Sequence, residues 1–170
     1  MSPAERPHRR LIAAFAAALC LVLPVSACGS RARLSKAEYE RRVNDLGNRF
    51  SSTLRTVFSS PQLKNPSSLK QAADVIRKGA DVIRHAADDL DGLNPPPAAD
   101  HAHGLLVGGF KQFADDLDGF ADDAQAGNLS KMSQFDQAVS TESLPSMMKI
   151  KQASDELKAL GYQIGAGPGG

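Results

Sequence analysis

Three groups of residues in this chain of 170 could do chemistry: a pair of close histidines, a series of aspartate clusters, and a cysteine at position 28. Asp100-His101-Ala102-His103 is the most metal-like stretch. Its histidines are two positions apart, so on a helix they point to different faces, whereas a helical ligand pair is usually four apart. His85 and the Met147-Met148 pair would have to complete a copper or haem site, and nothing in the sequence brings them together. The spacing therefore predicts solvated histidines in the first turn of a helix, with a metal or haem binder as the weaker alternative. The aspartates invite a calcium loop, which needs oxygen ligands at positions 1, 3 and 5, Gly at 6 and Glu at 12. Setting Gly92 at position 6 puts Ala87 first and Ala98 last, and setting Gly119 there gives Ala114 and Gln125. Both registers fail, and the clusters read as solvated acidic helix faces. The sequence has no serine nucleophile elbow and no phosphate-binding glycine loop. Its carboxylate pairs imply no apolar pocket around them. No enzyme, no catalytic residue, no cofactor and no metal ligand is expected.

Cys28 has a different context. Leu11 to Leu23 is an unbroken apolar run of 13 residues behind Arg6, His8, Arg9 and Arg10, and it stops at Pro24. A spanning helix needs about 20 apolar residues, so the run reads as the hydrophobic region of a secretion signal. The following Val25-Ser26-Ala27-Cys28 resembles the lipobox of bacterial lipoproteins, an aliphatic residue and two small ones before the cysteine that becomes the lipidated N-terminus. The resemblance implies cleavage after Ala27, lipidation of Cys28 through diacylglyceryl and acyl groups, and residence on the extracytoplasmic face of the cell membrane. Cys20 is a poor rival, because Leu19 precedes it and little apolar sequence lies before it. Arg9-Arg10 also invites a twin-arginine signal, which Ile12 and Ala13 fit poorly. With both cysteines in the first 28 residues, a disulfide framework is excluded. The expected organisation is a signal peptide over 1–27, a lipidated tether over 28–34, a helical domain over 35–164 and a disordered tail over 165–170.

The domain that must carry any function reads as all-α, an antiparallel up-down bundle of about four helices. Ser35 and Glu38 have capping-box spacing, and Leu34 and Tyr39 have hydrophobic-staple spacing. Tyr39, Val43, Leu46, Phe50, Leu54 and Val57 then recur in steps of four and three up to a stop at Pro61. Asn65-Pro66 suggests the start of a second helix, whose seam runs Leu69, Ala73, Ile76, Ala80, Ile83, Ala87 and Leu90. Alanine at every second seam position permits a close neighbour. Asn94-Pro95-Pro96-Pro97 makes the main break, and Pro97 can open a third helix carrying Leu106, Phe110, Phe113, Leu117, Phe120 and Ala124. Gly127-Asn128 ends it. Phe135 and Val139 suggest a short helical piece. Met147, Ile150, Ala153, Leu157 and Leu160 suggest a final helix stopped by Gly161. No segment alternates as a strand would.

Ala87-Asp88-Asp89-Leu90-Asp91-Gly92 returns 27 residues later as Ala114-Asp115-Asp116-Leu117-Asp118-Gly119, and Arg84 likewise matches Lys111. Helix duplication and chance convergence of Asp-rich surfaces both explain this. The whole chain balances 20 basic against 19 acidic residues, which argues against a nucleic-acid binder. Locally it is uneven, with 12 basic and 5 acidic residues from Cys28 to Arg84, and Lys111 alone against nine acids from His85 to Gly127. Basic helices lying beside an acidic one account for that. Alternatively, Arg31, Arg33, Lys36, Arg41 and Arg42 face anionic lipid. Gly104 and Gly108 are expected to let the third helix approach the alanine face of the second, with a soft hinge over Gly104 to Gly109, next to the Pro97 break, as the alternative.

The opening Leu34-Ser35-Lys36-Ala37-Glu38-Tyr39, the Asn94-Pro95-Pro96-Pro97 junction and the lipobox together resemble a group of Ala-rich helical lipoproteins of actinobacteria. That resemblance implies a location and a fold and transfers no functional residue beyond Cys28. The function expected is a non-enzymatic interaction or envelope module with an unknown protein or envelope partner. The alternative is a carrier whose bundle opens between the second and third helices around a small apolar molecule.

Overall fold

A computed structural model describes residues 32–61 and 67–165. The signal peptide, Ala27, Cys28, Asn65, Pro66 and residues 166–170 of the predicted tail lie outside the described residues. Among the described residues five α-helices follow in order: α1 Lys36–Phe58, α2 Leu69–Asp91, α3 Asp100–Gln125, α4 Leu129–Ser140 and α5 Pro145–Ala159, with a 3-10 turn at Pro97–Ala99. No strand occurs among the described residues. The protein is an all-α bundle in which four helices pack on one another.

The local signals explain most of the boundaries. The Ser35 hydroxyl accepts from the Glu38 amide at 3.2 Å, so α1 starts on its cap. Its last residue, Phe58, falls just short of Pro61. The start of α2 departs from the sequence expectation: its cap is Ser68, whose hydroxyl accepts from the Gln71 amide at 3.1 Å. Gln71 reaches back to accept from the amide of Ser67, the residue before that cap, so the helix starts here where the sequence pointed to Asn65-Pro66. Pro97 opens the 3-10 turn instead of α3 itself. Gly127 and Gly161 adopt φ of 69° and 75°, the left-handed region that glycine enters without a Cβ penalty, and they end α3 and α5. The Asn128 side chain accepts from the Lys131 amide and starts α4.

Contacts across the bundle fix the direction of each helix. Lys149 meets Gln112 and Ser146 meets Asp116, so α5 runs antiparallel to α3. The α2–α3 pair is also antiparallel and is closed by alanine on both sides. Ala73, Ala80, Ala87, Ala114, Ala121 and Ala124 are all at most 1% exposed, so the two backbones lie close together. Ile83 sits among them at 1% exposure, in a cluster with Ile76 and Leu117. A second cluster joins Tyr39, Val43 and Leu46 of α1 to Leu106 and Val107 of α3 and to Leu157 of α5. Phe110 packs against both. Leu69 and Leu160, expected in the seams, are 51% and 44% exposed and sit at helix ends beyond the packed region.

The α2–α3 pair resolves the charge asymmetry. Arg77 reaches Asp122 at 2.7 Å, and Arg84 reaches Asp118 at 2.7 Å and Asp115 at 3.3 Å. From the other side Lys111 reaches Asp91 at 2.9 Å and Asp88 at 3.8 Å. These are reciprocal contacts within the sequence repeat: Arg84 grips the Asp115 and Asp118 copies, while its counterpart Lys111 grips Asp88 and Asp91. Two segments that swap roles in this way are related by a local two-fold axis.

Candidate binding cleft

Among the described residues the seam between α1 and α5 holds an apolar opening. α1 packs chiefly on α2, and α5 chiefly on α3, so α1 and α5 are held apart. Between them lies a cavity of about 340 Å³. Val43, Leu46 and Phe50 form its α1 wall, Ile150 and Leu157 its α5 wall, and Leu90, Leu106 and Phe110 its floor. Gly47 and Ser51 keep the α1 side low, and a Cβ at Gly47 would meet nothing within 4 Å. No Asp, Glu, Lys, Arg or His is among the lining residues. The expected opening between the second and third helices is therefore corrected: alanine contact and ion pairs shut that seam, and the apolar space lies between α1 and α5.

The core cluster that supplies Val43, Leu106 and Leu157 to the cleft also holds an aromatic group that the sequence did not reveal. Tyr39 is fully buried, and its hydroxyl lies 3.1 Å from Nδ1 of His103. Its ring meets those of His103 and Tyr162 edge-on, with centroids 5.8 and 5.7 Å apart. Lys36 Nζ stands 4.8 Å from the centroid of the Tyr162 ring and donates to the Leu160 carbonyl. Burial pushes the Tyr39 hydroxyl far above the usual phenol range. Burial also pulls the His103 imidazole below its ordinary value, although Asp91 and Asp100 act the other way. The expectation of two solvated histidines thus fails for His103. His101 is exposed, with Nδ1 2.8 Å from Glu156. Their separate faces match the spacing argument, and no group of three or more His, Cys, Asp or Glu that could hold a metal ion occurs among the described residues.

The neutral, buried His103 has a consequence for pH dependence. In the unfolded chain it binds its proton near pH 6.5, and in the folded chain only at lower pH. Between those values the unfolded state holds more protons, so stability present above pH 6.5 is lost as pH falls, by at most about 1.4 kcal/mol per pH unit. Thermal melts from pH 7.5 to 5 are expected to show Tm falling for the wild type and a flatter profile for His103→Gln. Equal slopes would place the proton elsewhere.

The described cations in and just before α1 considered for lipid contact have partners within the bundle. Arg33 forms a pair with Asp100 at 2.6 Å, Arg41 and Arg42 both reach Glu38 at 2.9 Å, and Lys36 is held by Leu160 and Tyr162. Arg31 lies outside the described residues. The glycine expectation is corrected too. A Cβ at Gly104 or Gly108 would meet nothing within 4 Å, whereas one at Gly109 would fall 3.1 Å from both the Ser146 carbonyl and the Ile150 amide. The close approach is at Gly109, and its partner is α5.

Fold and cleft together define an all-α bundle with a largely apolar groove. No known protein family, curated protein or solved structure matches the chain.

Proposed function

We propose that the protein is a non-enzymatic binding module, anchored by lipid on Cys28 to the extracytoplasmic face of the cell membrane, whose working surface is the α1–α5 cleft. The observation that carries the reading is the lining of that cleft. Its walls are mostly apolar, with Asn44, Asn48, Ser51 and Ser154 the polar exceptions, and hold no ionisable side chain, which suits recognition of an apolar group and offers nothing for general acid–base chemistry. The sequence Val25-Ser26-Ala27-Cys28 behind Leu11–Leu23 supports the anchor, and it resembles that of the Ala-rich helical lipoproteins of actinobacteria. With Ser35 already capping α1, six residues separate Cys28 from that cap, a reach of roughly 20 Å, so the cleft would work close to the bilayer. Cys28→Ala is expected to release the protein from membranes or leave the signal uncleaved in fractionated cells. A variant that stays membrane-bound with normal processing overturns the anchor.

A second reading, a carrier of a small apolar molecule, is favoured by the cavity's volume, which falls in the lower part of the ligand-pocket range of about 300 to 1,000 Å³. Native mass spectrometry of the protein from its host is then expected to show a retained apolar ligand.

A further inference from the structure

The cleft already holds a short piece of chain, and the way it is held identifies what the rest of the cleft fits. After Gly161 the backbone runs along α1. The Gln163 amide donates to Glu40 Oε1 at 3.0 Å, Asn44 Nδ2 donates to the Gln163 carbonyl at 2.9 Å, and the Gly165 amide donates to Asn44 Oδ1 at 3.0 Å. Side chains alternate: Tyr162 is buried, Gln163 is exposed and Ile164 packs on the core. Glu40 and Asn44 therefore read the main chain of an extended segment at every second residue, as a neighbouring strand would.

The spacing allows this rail to continue. Four residues of helix advance about 6 Å, close to the roughly 6.6 Å of two extended residues. Asn48 stands four residues beyond Asn44, lines the cavity, and makes no side-chain hydrogen bond among the described residues. Gly165 lies at the cavity wall, so the unfilled apolar space begins where the held segment stops. Residues 166–170, Ala-Gly-Pro-Gly-Gly, carry no large apolar side chain.

We propose that the α1 rail and the open cleft beside it bind an extended peptide segment of a partner protein, with apolar side chains at alternate positions, its backbone read by Asn48 as Asn44 reads residues 163 and 165. The proposal rests on the cleft being a binding site, as inferred above, and names its ligand class.

The test uses the full chain, a fluorescein-labelled octapeptide alternating Ile or Val with Gln or Ser, and the apolar dye N-phenyl-1-naphthylamine as an independent reporter of the cleft. Saturable anisotropy is expected with the peptide. Asn48→Ala should weaken it about tenfold while leaving dye fluorescence unchanged, since one backbone-reading amide is lost and the apolar walls remain. Gly47→Leu, which fills the low side of the groove and favours helix, should abolish both signals with circular dichroism preserved. Peptide binding that is unchanged in Asn48→Ala overturns the rail. Dye binding without peptide binding, or displacement of the dye by a fatty acid but not by peptide, overturns the peptide inference and leaves the cleft a small-molecule site. Absence of both signals in the wild type overturns the cleft reading as well.

Discussion

Ile83→Asp is expected to abolish cooperative melting followed by circular dichroism. Ile83 is 1% exposed at the centre of the α2–α3 seam, among Ala80, Ile76 and Leu117. Its apolar side chain is lost from a packed site, and a carboxylate takes its place with no partner in reach of the alanine seam. Cavity formation alone, read from the milder Ile83→Ala, is expected to cost about 2 to 5 kcal/mol. The buried polar group adds several more, comparable to the whole stability of a domain this size, about 5 to 15 kcal/mol. A wild-type melting curve for Ile83→Asp would mean that the position faces water.

The second large effect separates glycines that lie on one helix. Gly109→Leu is expected to force α5 away from α3, because even a Cβ at that site meets backbone atoms of Ser146 and Ile150 at 3.1 Å. Overpacking of this kind costs about 1 to 3 kcal/mol, and a full leucine side chain takes the upper end or beyond. The milder Gly109→Ala must offset a helix-propensity gain of about 1 kcal/mol against the same contact. Gly104→Ala and Gly108→Ala should instead each stabilise by about 0.5 to 1 kcal/mol, since their added methyl groups meet no neighbour and only the propensity changes. Urea midpoints of the single variants give the comparison. Destabilisation by all three substitutions would show that helix rotation, not Gly109 alone, brings α3 onto α5.

These glycines show where sequence reasoning stops. Apolar steps of three and four place residues on a stripe, and the seam from Ala73 to Leu90 is buried as the stripe predicts. Caps and breakers are local chemistry, which is why Ser35, Gly127 and Gly161 were legible as boundaries. Which neighbour each stripe faces depends on the rotation and order of helices, and periodicity carries neither. Gly104, Gly108 and Gly109 look alike in a sequence, and the seam between the second and third helices looks as able to open as that between the first and last. The burial of His103 escapes the pattern for the same reason: its polar type suggests solvent, and its partner Tyr39 is 64 residues away. A signal for the held segment did exist. Tyr162 and Ile164 alternate with polar or small residues directly after the Gly161 stop, a pattern a free tail has no reason to carry.

The two-way grip between α2 and α3 acts as a pawl. The heptad of α2 repeats Asp74-Val75-Ile76-Arg77 as Asp81-Val82-Ile83-Arg84, so its apolar ridge would mesh almost as well one notch along. Sliding one way would carry Lys111 off its aspartates and onto Pro95 and Ala98, and sliding the other way would drive Arg84 against Lys111 itself. A solitary cation in an acidic stretch thus disfavours the two nearest wrong settings of the hairpin, by up to about 1 kcal/mol for each exposed pair lost, and tends to hold the wall that α3 gives the cleft at a single height.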